Sequence, residues 1–321
     1  MLDQSIVNIC GLTQRVLSLP GSKRRLSILI YHRVMDSADP YRPGEANRES
    51  FRWQMKLLAR NHNVLPLSSA IELLLNKRLP SNAVSITFDD GYADNHDNAL
   101  PILKEFGLCA TFFIASGFLN GGRMWNDDII DAISNVSGDS LEIAEHGIGK
   151  LSTSSPTERM NSISHVLSKI KYIPHKEREQ FSRSLLCSYV PNAKSPMMND
   201  DQVVNLRKEK MEIGGHTVSH PILAKLTADE SYREIKEGKD YLEDLLGESL
   251  HTFAYPNGKN KSDYNPESLE AVKKAGFKAA VTTDWGVSSK ETGLFQLKRF
   301  TPWDNTPSRF ALRLAKNYFG A

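Results

Sequence analysis

Two short segments carry the residue types that could bind a metal ion and activate water. Residues 87–91 end an apolar run with the adjacent carboxylates Asp89 and Asp90, and residues 216–220 begin and end with a histidine. Asp oxygen and His nitrogen suit Zn²⁺, Co²⁺, Ni²⁺ or Mn²⁺, and one Asp with two His leaves positions for water and substrate. The second Asp can take the proton of that water. The two segments together therefore predict a hydrolytic metal centre.

Each segment alone also has a purely structural explanation. Two acids and a glycine fit a turn that ends a strand, and isolated histidines are common at surfaces and in cores. His216 and His220 reach one ion if their segment begins a helical turn. The His-Glu-x-x-His helix of zinc proteases is absent from the sequence.

Short apolar runs rich in β-branched residues alternate with helix-periodic segments along most of the chain. The predicted strands are 26–31, 64–67, 84–88, 109–115, 211–215, 252–255, 277–283 and 295–299, and the predicted helices are 50–60, 68–75, 93–106, 229–246, 266–275 and 306–318. This alternation indicates an α/β fold with a parallel sheet, and seven or eight such units favour a regular or distorted (β/α) barrel.

Polar or aromatic groups follow five of these strands, where barrel enzymes carry their active sites. These groups are His32, Asp89-Asp90, His216, Tyr255-Pro256 and Asp284-Trp285. The placement predicts one site at the carboxyl end of the barrel.

Two regions depart from the alternation. Residues 120–202 contain no convincing strand and predict a helical insertion in a barrel domain spanning 26–321. Residues 1–25 carry apolar side chains at helical spacing before a basic cluster. They predict an N-terminal helical segment that packs on the domain or, alternatively, lies on a membrane surface.

The bulk properties exclude several partners. A net charge of +2, with no basic run interleaved with aromatics, gives no basis for nucleic-acid binding. No stretch approaches the ~20 apolar residues of a transmembrane helix, and the N-terminus lacks a signal-peptide pattern. The three cysteines have no metal or redox spacing. These features predict a cytoplasmic protein, with contact at the inner membrane as the variant interpretation.

Residues 87–91 and 216–220 resemble the first two motifs of the polysaccharide deacetylases (carbohydrate esterase family 4, the NodB-homology domain). The resemblance runs from about Ile28 to Phe300, interrupted by the insertion. It implies a distorted (β/α)₇ barrel and metal-dependent removal of acetyl groups from N-acetylated sugars, with Zn²⁺ first among the candidate ions. It further implies Asp89 as general base, with metal ligands Asp90, His216 and His220.

The third and fourth motifs of the family are only partly present. The family's third motif has Arg-x-Pro, whereas this chain has Ala254 at the Arg position. The turn after it, Tyr255-Pro256-Asn257, is predicted to bind substrate, and its backbone could donate to an oxyanion. Asp284-Trp285 resembles the end of the fourth motif, which implies that Trp285 lines the acetyl pocket; packing at the barrel rim is the alternative.

The fifth motif should end in a histidine that acts as general acid, but this chain has Arg299 there. Arginine stays protonated and is a poor proton donor. His32, in Tyr31-His32-Arg33-Val34, follows the first strand in a segment that resembles deacetylases of exopolysaccharide and poly-N-acetylglucosamine synthesis. We therefore expect His32 to serve as the acid or in substrate binding, and Arg299 to supply fixed positive charge to the substrate.

The sequence thus predicts a metal-dependent hydrolase that removes acetyl groups from N-acetylhexosamine units of a polysaccharide, an exopolysaccharide precursor or a related glycan. Two alternatives remain open. One is a non-catalytic glycan-binding relative that keeps the barrel. The other is an O-deacetylase or another amidohydrolase that uses the same metal site.

Overall fold

A computed structural model describes residues 24–319 of the chain. The predicted N-terminal helical segment lies outside the described residues except for Arg24 and Arg25. The described residues form two units, one of which comprises residues 38–44 and 121–197 and the other the remainder. Within residues 24–319, no helix is both long enough and apolar enough to cross a membrane.

The larger unit is built on seven parallel strands that follow one another in chain order. They are β1 Ser27–Tyr31, β2 Ala83–Phe88, β3 Thr111–Ile114, β4 Glu212–Gly215, β5 Thr252–Ala254, β6 Ala279–Trp285 and β7 Leu297–Arg299. The last strand returns to the first, since Ile30 N–H donates to Phe300 O at 3.0 Å and Phe300 N–H donates to Ile28 O at 2.7 Å. The result is a nearly closed barrel of seven strands, which confirms the predicted (β/α)₇ fold.

Helices surround this barrel and follow the predicted periodicity. In this unit they are α1 Arg48–Asn61, α2 Leu67–Leu75, α3 Leu100–Glu105, α4 Asp200–Lys208, α5 Ala228–Leu246, α6 Pro266–Lys274 and α7 Pro307–Phe319. Helix α5 begins at a capping box in which Thr227 and Glu230 satisfy each other's backbone N–H groups, and it ends at Gly247 with φ of 67°.

Side chains from different strands fill the inside of the barrel. One buried cluster includes Ile28, Phe113, Ala254, Val281 and Leu297, each from a different strand. Burial of such a side chain contributes about 1.5–3 kcal/mol. This packed interior fixes the strand ends, and therefore the groups attached to them.

Two predicted elements differ from the structure. The strand predicted over 64–67 ends after Asn63–Val64, because Pro66 starts helix α2. The helix predicted over 93–106 is divided into a π-helical turn, Asn95–Ala99, and helix α3.

The smaller unit contains three helices and a β-hairpin with its own buried cluster. Its helices are Trp125–Ser134, Pro156–Ile170 and His175–Tyr189. The antiparallel strands Ser140–Ile143 and Gly149–Ser152 were not expected from the sequence. Each strand is only four residues long, with two buried residues in the first and one in the second, which is too weak a pattern to stand out among polar neighbours.

Candidate active site

Three side chains at the carboxyl end of the barrel could share one metal ion. Asp90 follows β2, His216 follows β4, and His220 lies in the loop after it. Asp90 Oδ1 is 3.3 Å from His216 Nε2 and 3.4 Å from His220 Nε2. One ligand atom from each residue lies within 4.8 Å of the others. The structure therefore brings together the three predicted ligands.

The chemistry of these donors fits a divalent cation. Among residues 24–319, Asp90 Oδ1 is buried and accepts no hydrogen bond. His216 Nδ1 lies 2.7 Å from Ala254 O and must donate to it, so Nε2 is the ring nitrogen that faces Asp90. Burial disfavours the Asp90 carboxylate, but His216 and His220 outweigh burial and hold its pKa well below the ordinary value. The three donors are thus one anionic oxygen and two imidazole nitrogens.

The backbone is strained where it presents these ligands. Asp90, Thr217 and His220 have positive φ values of 77°, 68° and 53°. Such conformations cost on the order of 1–3 kcal/mol each and tend to occur at functional sites. The helical turn expected over residues 216–220 is absent, because left-handed residues interrupt it; the loop brings the two imidazoles together instead.

Helix α5 holds this histidine loop in place. Glu234 accepts hydrogen bonds from Val218 N–H at 3.1 Å, Ser219 N–H at 2.9 Å and Ser219 Oγ at 2.8 Å. A Cβ at Gly238 would lie 2.8 Å from the backbone of Thr217. Sequence reasoning missed both residues, although a glycine inside a helix is a signal for close packing.

The second acid, Asp89, is held by Arg299, which lies 210 positions later in the chain. Arg299 donates to Asp89 Oδ1 and Oδ2, both at 2.7 Å, and its Nε donates to Thr282 O at 2.7 Å. Burial alone would raise the pKa of Asp89, but the Arg299 guanidinium outweighs it and the pKa is lowered. Asp89 is therefore an anion with a fixed orientation.

This position differs from the substrate contact expected for Arg299. Its side chain is buried, with 1% of the residue exposed, and its donors are directed to Asp89, Thr87 and Thr282. Arg299 thus contacts Asp89. The family resemblance assigns this contact to an arginine at the position that Ala254 occupies in this chain. Ala254 instead contributes its carbonyl to orient His216.

His32 lies beside the two acids at the end of β1. Asp89 N–H donates to Tyr31 O at 2.9 Å, so His32 follows directly on the residue that pairs with Asp89. Burial opposes the charged imidazole, but Asp90 and Glu45 outweigh burial and raise the pKa of His32. Glu45 is a site residue that the sequence did not reveal; it lies in a polar loop, and its Oε2 accepts from Arg33 N–H at 3.1 Å.

The remaining predicted substrate residues have mixed environments. Tyr255 is fully buried and stacks on Tyr264 with 4.1 Å between ring centroids, so the structure gives its ring no exposed surface for a substrate. Pro256 is buried and Asn257 half-buried in a turn, where Asn257 O accepts from Thr283 Oγ1 at 2.6 Å.

Asp284 and Trp285 end strand β6 at the same end of the barrel. Asp284 is half-buried, and Trp285 is 43% exposed. The Trp285 ring lies 4.8 Å from the Phe300 ring and 5.7 Å from the Trp303 ring. Trp285 therefore both packs on the barrel rim and presents a free surface.

Comparisons with known proteins identify relatives of this chain. A polysaccharide deacetylase family model matches residues 76–184 and 187–280. YxkH of Bacillus subtilis (strain 168) is 24% identical over 86% of this chain and 70% of its own length. A poly-β-1,6-N-acetyl-D-glucosamine N-deacetylase of Staphylococcus epidermidis is 23% identical over 52% of this chain and 59% of its own length.

A solved structure shows the same fold. The deacetylase PplD of Streptococcus pyogenes, solved with acetate, has a TM-score of 0.61 and 21% identity, over 91% of this chain and 98% of that one. Because the family match spans more than half of the sequence, including the paired acids and both histidines, this chain belongs to the polysaccharide deacetylase family.

Proposed function

We propose that this protein is a metal-dependent N-deacetylase that acts on N-acetylhexosamine units of a polysaccharide, an exopolysaccharide precursor or a related glycan. The observation that carries the proposal is the pairing of two acids with different partners. Asp90 faces two imidazoles with a buried oxygen free of hydrogen bonds in the described chain, whereas Asp89 is anchored by Arg299.

A divalent ion held by Asp90, His216 and His220 would polarise the acetyl carbonyl and acidify the attacking water. Asp89 then takes the proton of that water as general base, because its lowered pKa keeps it ionised. Arg299 fixes both carboxylate oxygens, which limits the rotation of the base.

His32 is the residue that we assign to the leaving group. When the C–N bond breaks, the departing nitrogen needs a proton, and a histidine with a raised pKa holds its proton to a higher pH than an ordinary histidine does. The products are acetate and an amino sugar.

Two observations favour turnover at an amide over the alternatives. A non-catalytic relative is suggested by the absence of arginine at position 254, but Arg299 provides the corresponding contact to Asp89. The Staphylococcus epidermidis relative is named as an N-deacetylase of poly-β-1,6-N-acetyl-D-glucosamine, which supports an N-acetylated rather than an O-acetylated substrate.

The test is acetate release by the full chain from N-acetylglucosamine oligosaccharides with β-1,4 and β-1,6 linkages, compared with an O-acetylated xylan. We expect release from an N-acetylated oligosaccharide that stops after chelation and returns when Zn²⁺, Co²⁺, Ni²⁺ or Mn²⁺ is added. His216→Gln should abolish release and metal binding, whereas the exposed His165→Gln should change neither. Release only from the xylan would favour an O-deacetylase, and release unaffected by chelation would refute the metal site.

A further inference from the structure

A second cleft opens beside Trp285 at the catalytic end of the barrel. It has a volume of about 610 Å³. Its walls are formed by the end of β6, the segment after β7 and helix α7, through Trp285, Asp304, Arg309, Leu312, Arg313 and Lys316. None of these side chains except Trp285 has a role in the proposed reaction.

The cleft starts on the strand next to the one that carries Arg299. Trp285 is the β-ladder partner of Arg299, and the Arg299 guanidinium holds Asp89. Neighbouring strands lie about 4.8 Å apart. One strand spacing and the length of the Arg299 side chain therefore separate Trp285 from Asp89, so the sugar units that adjoin an acetamide at Asp89 are within reach of the cleft.

One tryptophan, Trp285, lines the cleft, and Trp303 lies next to it outside the lining. Trp303 is 50% exposed and Trp285 43% exposed, and their rings lie at 34° to each other. Exposed aromatic rings at a concave site provide flat apolar surfaces for a ligand that also has polar groups. The apolar face of a sugar ring has this character.

The charge of the cleft is positive. Arg313 is paired with Asp304 at 2.8 Å, but within the described residues the side chains of Arg309 and Lys316 have no ion-pair partner. Arg309, Arg313 and Lys316 are three or four residues apart on α7 and so share one face of the helix. Two cations that no acid among residues 24–319 pairs with lie at a concave surface, and such a surface attracts an anionic ligand.

We propose that this cleft is a subsite for a sugar that bears an anionic group, a carboxylate or a phosphate, next to the N-acetylated sugar. Trp285 stacks on the sugar ring, and Arg309 and Lys316 bind the anionic group. The proposal rests on the proposed function in one respect, because it places the ligand in the same active site. It narrows the substrate class to acidic glycans or to glycans linked to phosphate.

Binding is measured on the full chain with two tetrasaccharides of equal length: a hyaluronan fragment, in which glucuronic acid alternates with N-acetylglucosamine, and a chitin fragment without carboxylates. N-acetylglucosamine 1-phosphate and N-acetylglucosamine form a second pair that tests for phosphate. An Asp89→Asn background keeps the ligands intact during calorimetry. The matched control is Lys208→Gln/Lys278→Gln, which removes two exposed charges at the amino ends of β4 and β6, at the other end of the barrel.

We expect the charged member of at least one pair to bind about tenfold more tightly, the worth of one charge-assisted hydrogen bond. Arg309→Gln/Lys316→Gln should remove this preference and leave binding of the neutral member unchanged. A rise in ionic strength should have the same two effects on the wild-type cleft. The control variant should keep the preference.

Equal affinity within both pairs, including no binding at all, would overturn the subsite, as would an equal loss for charged and neutral ligands. Binding of anionic lipid vesicles through Arg309 and Lys316, without preference for a charged saccharide, would also overturn it and indicate a membrane contact. A charge preference without acetate release would leave the subsite standing and refute the proposed function. Acetate release without a charge preference would support the proposed function and refute the subsite.

Discussion

Asp89 and Asp90 are neighbours in the chain, yet they face different partners. The positive φ of Asp90 turns the backbone between them, so that Asp90 meets two imidazoles while Asp89 meets a guanidinium. Both pKa values are lowered, in each case because the partners outweigh the effect of burial. One dipeptide thus presents two carboxylates to different partners, which suits the ligand and the base that we propose.

Arg299 shows where sequence reasoning at this scale fails. The sequence places it at the end of β7, but the contact with Asp89 joins residues 210 positions apart. No local sequence pattern predicts a contact between residues that lie so far apart in the chain. Ala254, which stands where the family has arginine, gives no sign that Arg299 makes this contact instead. A small apolar residue at a strand end fits many environments.

We predict that Arg299→Leu destabilises the protein by about 3–5 kcal/mol, because Asp89 stays buried without its partner. Acetate release should also fall about 100-fold, since the base is no longer held. Arg207→Leu removes a surface arginine paired with Glu248 and should cost less than about 1 kcal/mol. Denaturant unfolding with an acetate assay checks this, and equal stability of the two variants would contradict a structural pairing of Arg299 with Asp89.

His32 determines the expected pH dependence. Asp90 and Glu45 raise the pKa of His32 above its ordinary value, and kcat/KM should fall as the pH rises through that pKa. His32→Gln should lower the rate about 10²–10⁴-fold and remove this alkaline decline, whereas His165→Gln should leave the profile intact. An unchanged alkaline limb in His32→Gln would assign the acid to another group.

At the scale of elements, the histidine loop depends on a helix that follows it in the chain. The bounds of helix α5 could be predicted, because its periodicity and capping residues are local features. The path of residues 216–220 could not, because Thr217 and His220 adopt left-handed conformations without a glycine. Tertiary contacts from Glu234 and Gly238 impose those conformations.

Glu234→Gln tests this support directly. A glutamine oxygen is a weaker acceptor for three donors than a carboxylate, and we expect metal affinity to drop about 10–100-fold, as when outer partners of metal ligands are lost. The exposed Glu237→Gln on the same helix is the control. Calorimetric titration with the metal ion measures the affinity of wild type and of both variants. Equal affinities for wild type and Glu234→Gln would show that the loop holds its shape without α5.

At the scale of the whole molecule, the barrel was the most predictable feature. Its strands are short continuous apolar runs, and the rule that parallel barrels carry active sites at strand ends predicts from the sequence that His32, Asp89 and His216 lie at one end of the barrel. The hairpin of the smaller unit was missed because two strands of four residues give a weak period. The strand predicted over 64–67 was wrong because Pro66 ends it.

The central claim is that the ligand set and the base are separate functions of one site. The most direct test compares wild type and Asp89→Asn for bound metal and for acetate release from a β-1,6-linked N-acetylglucosamine oligosaccharide. We predict that both proteins bind one divalent ion per chain and that Asp89→Asn loses at least about 10³-fold in release. Release by Asp89→Asn at the wild-type rate, or release by wild type that survives complete removal of metal, would contradict the account.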